Sequence, residues 1–232
     1  MELKTTIKNY FKQTREPRYS FLMVLPLLLA YEYEAFSLNH SDITGIRNGA
    51  DIFLKKILGL LGLHGHLAVA FIICLSMLLV YRREKEKPVK FNYFIFIFIE
   101  CIIYSLILEP AVLKLRSLLA ISKHAQFVAC LGAGIYEELL FRLIMFTGTY
   151  KILKKLLDME YLSLISAILI SSVFFSYFHY WGSMADTLTI SSFTYRFLAG
   201  IILCLLYYFR GLGIAAYTHT FYDLMVFYNI MH

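Results

Sequence analysis

Read for apolar and polar positions, the chain breaks into long apolar runs separated by short polar segments. Seven runs approach the roughly 20 residues, range about 17–25, that a helix needs to cross a bilayer. They cover 20–38, 66–82, 91–109, 126–148, 161–180, 195–209 and 212–230. The second and sixth are the shortest. The pattern therefore predicts an all-α fold, a polytopic membrane helix bundle of about seven transmembrane helices with short amphipathic helices between and before them. The connection 39–65 is the longest. There Ser41 or Asp42 can cap a helix, and Ile52, Phe53, Leu54, Ile57, Leu58 and Leu61 follow at mixed helical spacing. This predicts a short amphipathic helix on or dipping into the membrane surface. The first 20 residues predict another at the interface, with Ile7, Tyr10 and Phe11 on one side. No small-residue cleavage site follows the first apolar run, so that run reads as a retained anchor. There is no internal repeat and no low-complexity segment.

Composition narrows the class. The 232 residues are 59% hydrophobic and 16% charged, and the mean hydropathy is +0.66. A soluble domain is about 45–50% apolar and about 25% charged. The spans use up nearly the whole chain, which leaves one integral-membrane domain, 1–232, and no room for a second. The net charge of +6 comes from basic residues between the apolar runs, which argues for lipid rather than nucleic acid as the partner. With the N-terminus inside, fourteen Lys and Arg fall on inner segments and six on outer ones. That asymmetry fits the positive-inside pattern, N-in and C-out. The loop 181–194 on the outer side has neither Lys nor Arg. Cys74, Cys101, Cys130 and Cys204 all lie in apolar runs with no CxxC pair, so they read as single thiols.

Candidate chemistry lies where the apolar runs are interrupted. The stretch GAGIYEELLFRLIMF, 132–146, places Glu137, Glu138 and Arg142 inside a span. Each charge there costs roughly 2.5–3.5 kcal/mol on insertion scales, so its presence calls for a partner or a function. Glu138 and Arg142 are i and i+4 on a helix and share a face, acid first, which is the favourable order. Glu137 is turned about 100° away and is the less obvious partner of Arg142. Further on, SSVFFSYFHYWG ends a span with Phe175 and His179 four residues apart. AAYTHTFYDLMVF then sets His219 and Asp223 at the same spacing. Three costly polar clusters in three spans are relieved together if they converge on one internal polar cavity. A carboxylate, two histidines and an Asp are parts for activating water and stabilising an oxyanion. There is no GxSxG and no HExxH. Glu137, His179 and His219 could instead be three zinc ligands, which leaves a metal-free and a zinc-dependent site both open on residue types alone.

The order EExxxR, FxxxH, HxxxD across residues 126–228 resembles the CPBP family of intramembrane proteases, which includes CAAX prenyl endopeptidases and the bacterial Abi proteins. The run RFLAGIILCLLYYFRGLGIAAYTH before the last motif is also similar to that family. In the N-terminal half, RYSFLMVLPLLLAYEYEAF and IRNGADIFLKKILGLLGLHG are similar to the myxosortase-like branch, associated with removing C-terminal sorting tails from exported bacterial proteins. The resemblance implies a glutamic-type intramembrane endopeptidase with no cofactor, cleaving near a C-terminal membrane-embedded segment of a substrate protein. It implies a multi-pass location in the bacterial cytoplasmic membrane. It also implies roles. Glu137 activates water with His179, Glu138 and Arg142 orient that group, and His219 with residue 223 polarises the scissile carbonyl. Many members carry Asn at the position of Asp223. An ionised Asp cannot donate to an oxyanion, so Asp223 is expected to orient His219 instead. Two other readings of the same polar groups are a proton-coupled transporter and a non-catalytic immunity or chaperone-like membrane partner.

Overall fold

The computed structural model describes residues 2–40, 47–65, 67–83, 88–108, 123–181 and 185–228. All regular structure among them is helical. The helices are α1 (Glu2–Thr14), α2 (Pro17–His40), α3 (Gly49–Leu60), α4 (Ala68–Arg83), α5 (Asn92–Leu108), α6 (Lys123–Gly132), α7 (Thr147–Leu157), α8 (Glu160–Phe178), α9 (Ile190–Arg210) and α10 (Leu212–Phe227). Between α6 and α7, Ala133–Phe146 is π-helical, so one rod runs unbroken from Lys123 to Leu157. The described residues of the seven apolar runs are helical apart from short ends, and the fourth run spans α6, the π-helical stretch and the start of α7. Pro17–Leu38, Glu160–Phe178 and Ile190–Arg210 are long and apolar enough to cross a membrane, and Asn92–Leu108 is apolar but shorter. The chain is an integral membrane helix bundle. Its lipid-facing character shows in side chains such as Phe71, Ile95, Phe96, Ile165 and Phe174, all exposed.

The amphipathic helix predicted in 39–65 is α3, which turns Ala50, Asp51 and Leu54 inward. The proposed caps Ser41 and Asp42 lie outside the described residues. The cap of this helix is Asn48, whose side chain accepts from the backbone N–H of Ala50. The N-terminal helix α1 leaves Ile7 and Phe11 exposed and is tied down by a polar clamp. Arg210, at the end of α9, donates to Glu100 of α5, to the carbonyl of Phe11 and to Thr14. Glu100 also accepts from Tyr10 and Tyr104. Every buried charge in this clamp thus meets an opposite charge or a donor, which is the condition for keeping it out of water.

α10 is the central helix and packs against α2, α5, α6, α9 and the π-helical stretch. Its contact with the π-helical stretch depends on Gly134. A Cβ at that position would lie 1.9 Å from Thr220 Oγ1 and 2.6 Å from the carbonyl of Ala216. Without a side chain at 134 the two backbones approach closely, one turn from Glu137 and Glu138 on one side and beside His219 on the other. The four cysteines are free thiols.

Candidate active site

The π-helical stretch winds with i to i+5 bonds, as in the bond from Thr147 N–H to the Arg142 carbonyl. This winding is wider than an α-helix, and short π stretches are frequent at functional sites. It carries Glu137, Glu138 and Arg142, which are 7%, 0% and 0% exposed. The predicted ion pair is present, with Arg142 Nη1 2.8 Å from Glu138 Oε1. The guanidinium also lies over the ring of Phe175, 4.3 Å from its centroid, so the first residue of the FxxxH motif is a packing platform for a buried cation.

The three clusters converge. His219 Nδ1 is 2.8 Å from Glu138 Oε1, and His179 Nε2 is 3.8 Å from Glu137 Oε2. Phe175 separates the two imidazoles, with ring centroids 5.0 Å from His179 and 5.8 Å from His219. The sequence expectation has the Glu138–Arg142 pair orienting Glu137. The contacts differ: Glu138 Oε1 is shared by Arg142 and His219, so the pair holds His219. The sequence expectation has Asp223 orienting His219. Its Oδ2 faces Nε2 at 3.6 Å, beyond hydrogen-bond range, and the ring is fixed from its other nitrogen by Glu138.

Hydrogen-bond roles follow from the partners. A carbonyl oxygen only accepts, so the 2.9 Å contact of His179 Nδ1 with the Phe175 carbonyl puts the proton on Nδ1. In the neutral ring Nε2 is then an acceptor. It faces Glu137 Oε2, a buried carboxylate oxygen with no hydrogen-bond donor among the described residues. The other oxygen, Oε1, accepts from Asn48 Nδ2 at 2.8 Å. Two acceptors 3.8 Å apart cannot bond each other, but one molecule with two O–H groups can bridge them.

Asn48 is the site residue the sequence reading missed. It lies 89 positions before Glu137, in a connection read as surface-lying. The cue was present in IRNGAD, where Asn precedes a helix as a cap, but nothing in the sequence tells where the free half of its amide points. As for metal, no three His, Cys, Asp or Glu side chains stand close enough to hold an ion among the described residues. In both histidines Nδ1 is engaged and Nε2 is left free, an arrangement also seen in histidines that ligate a metal through Nε2, and the two Nε2 atoms face different carboxylates, His179 toward Glu137 and His219 toward Asp223.

Residues 123–225 match the family of type II CAAX prenyl endopeptidase Rce1-like proteins. The match covers under half of the chain and contains Glu137, Glu138, Arg142, His179, His219 and Asp223, but not Asn48. No curated protein matches the chain, and no solved structure does.

Proposed function

We propose, from the match of residues 123–225 to the Rce1-like type II CAAX prenyl endopeptidases, that the chain is an intramembrane endopeptidase in which Glu137 activates a water for peptide hydrolysis. The observation that carries this reading is the pair of facing acceptors, Glu137 Oε2 and His179 Nε2, 3.8 Å apart. A water donating one O–H to each turns its lone pairs outward, toward an incoming carbonyl carbon. As the water oxygen attacks, its proton passes to Glu137 Oε2. The tetrahedral intermediate then collapses, the C–N bond breaks, and Glu137 returns the proton to the leaving amine.

His219 takes the oxyanion. Its Nδ1–H is given to Glu138, so Nε2 donates only from the imidazolium, whose charge Glu138 and Asp223 balance. One donor aimed at the developing O⁻ in a water-poor site is worth about 10²–10³ in kcat. No step passes through a metal.

The substrate on this reading is a protein whose C-terminal end lies in or at the membrane. The family's name points to a prenylated CAAX end. The N-terminal half, with its likeness to the myxosortase-like branch, favours instead the tail of an exported protein: a short motif, an apolar helix and basic residues. The chain then sits in a bacterial cytoplasmic membrane with its N-terminus inside. Deleting it is expected to leave one or a few exported proteins with uncleaved tails, and restoring the wild-type chain but not Glu137→Gln returns the cleaved form. A deletion strain whose membrane and exported proteins keep all their normal C-termini contradicts the reading.

A further inference from the structure

Glu137 is held from outside the family-matched region. The Asn48 side chain accepts the Ala50 N–H on Oδ1 at 2.8 Å and donates from Nδ2 to Glu137 Oε1 at 2.8 Å. The backbone N–H requires the oxygen and the carboxylate requires the N–H, so the two partners fix the amide in one orientation. Asp at this position would cap α3 equally well but would bring no donor. Ser would cap it from a shorter arm. Asn alone among the good capping residues supplies both an acceptor and an amide donor.

The residue is itself held. Its backbone N–H donates to Tyr31 Oη at 3.1 Å, and Tyr31 donates to Asp51 at 3.0 Å. Arg47 bridges Asp51 and Glu32 at 2.9 and 3.2 Å, and Glu32 accepts from Tyr136, the neighbour of Glu137, at 2.6 Å. At Gly132 a Cβ would stand 2.6 Å from both Asn48 Cβ and Tyr31 Cε2, so the start of α3 and the helix leading to Glu137 meet only because 132 lacks a side chain.

We infer that Asn48 is a positioning residue for Glu137: it occupies Oε1 and leaves Oε2 as the oxygen that takes the proton. This rests on the hydrolase reading above. The test uses the full chain in detergent and a reporter protein ending in an apolar helix and basic residues, or a prenylated CAAX peptide if that is the probe the wild type cuts. Asn48→Ser and Asn48→Thr both keep a cap for α3 without setting a second carboxylate against Glu137. Each is expected to melt close to the wild type and to lose kcat by about 10–100-fold, with KM within about twofold, as for a reacting group set slightly out of place. Asn48→Ala, which loses cap and donor together, is expected to lower both melting temperature and kcat.

A merely structural Asn48 would leave kcat intact in the two capping variants, and wild-type kcat in both of them overturns the proposal while Glu137→Gln stays inactive. A fall in kcat that only tracks lost melting temperature across all three variants overturns it too. If Glu137→Gln itself retains full activity, the hydrolase mechanism has failed first and takes this proposal with it.

Discussion

Arg142→Met separates the structural from the functional side of the buried charge cluster. In the wild type, Arg142 and Glu138 are both fully buried, 2.8 Å apart, and Glu138 also holds His219. Removing the guanidinium leaves a buried carboxylate facing a single imidazole. Breaking one side of a buried pair costs about 3–5 kcal/mol. At roughly 2–4 °C per kcal/mol for a chain of this size, the variant is expected to melt about 6–20 °C below the wild type. Met matches the aliphatic stem of Arg142 but not the guanidinium 4.3 Å from the Phe175 ring centroid, so the loss includes that cation–π contact. The double variant Arg142→Met/Glu138→Leu removes both charges and is expected to recover part of the melting temperature, because replacing a whole buried pair by apolar groups is often near neutral while the His219 Nδ1–H left without its acceptor costs about 1–3 kcal/mol. Cleavage is not expected to recover with it. Without Glu138 Oε1 the His219 ring has lost the acceptor that fixes it, and kcat stays at least about 100-fold down, as for a lost oxyanion donor. Intrinsic fluorescence melting in detergent and reporter cleavage measure the two quantities on one preparation. A double variant that melts as low as Arg142→Met refutes the buried-pair argument. A double variant that cleaves at the wild-type rate refutes the role given to Glu138.

Three further outcomes follow from the same geometry. Asp223→Asn is expected to keep kcat within about tenfold of the wild type, since Asp223 stands 3.6 Å from His219 Nε2 and an amide there can itself donate to an oxyanion; a loss as deep as that of His219→Ala would show Asp223 to be essential. Gly134→Ala is expected to cost at least about 1–3 kcal/mol by overpacking and to lower kcat, because the new methyl overlaps Thr220 and Ala216 and pushes Glu137 and His219 apart; an unchanged melting temperature contradicts the close-approach argument. Chelation is expected to leave reporter cleavage unchanged, and loss of cleavage that zinc restores would reinstate a metal in the site.

The polar interruptions of the apolar runs carry most of the candidate site. Glu137, Glu138, Arg142, His179 and His219 are legible because polar groups in lipid are costly, and two pairs, Glu138 with Arg142 and His219 with Asp223, fall at i, i+4 spacing. The i to i+4 pairing of Glu138 with Arg142 is a local rule and appears as expected. The long-range partners were not legible. Periodicity places Glu138 on a face but does not say that His219, 81 positions later, would share its oxygen with Arg142. The π winding of Ala133–Phe146 was also hidden, since its apolar pattern reads equally well at 3.6 residues per turn. Asn48 was missed for a related reason: its sequence signal is that of a helix cap, and only the packing of α3 on the π-helical stretch turns the other half of the amide toward Glu137.

The most direct test of the account is cleavage of the tailed reporter by purified wild-type and Glu137→Gln chains in the same liposomes, with melting followed alongside. Glutamine keeps the size of the side chain and its hydrogen-bonding reach but cannot take a proton from water. The account predicts cleavage by the wild type, none above background by Glu137→Gln, and melting temperatures that differ by only a few degrees. Cleavage by Glu137→Gln at the wild-type rate would contradict it.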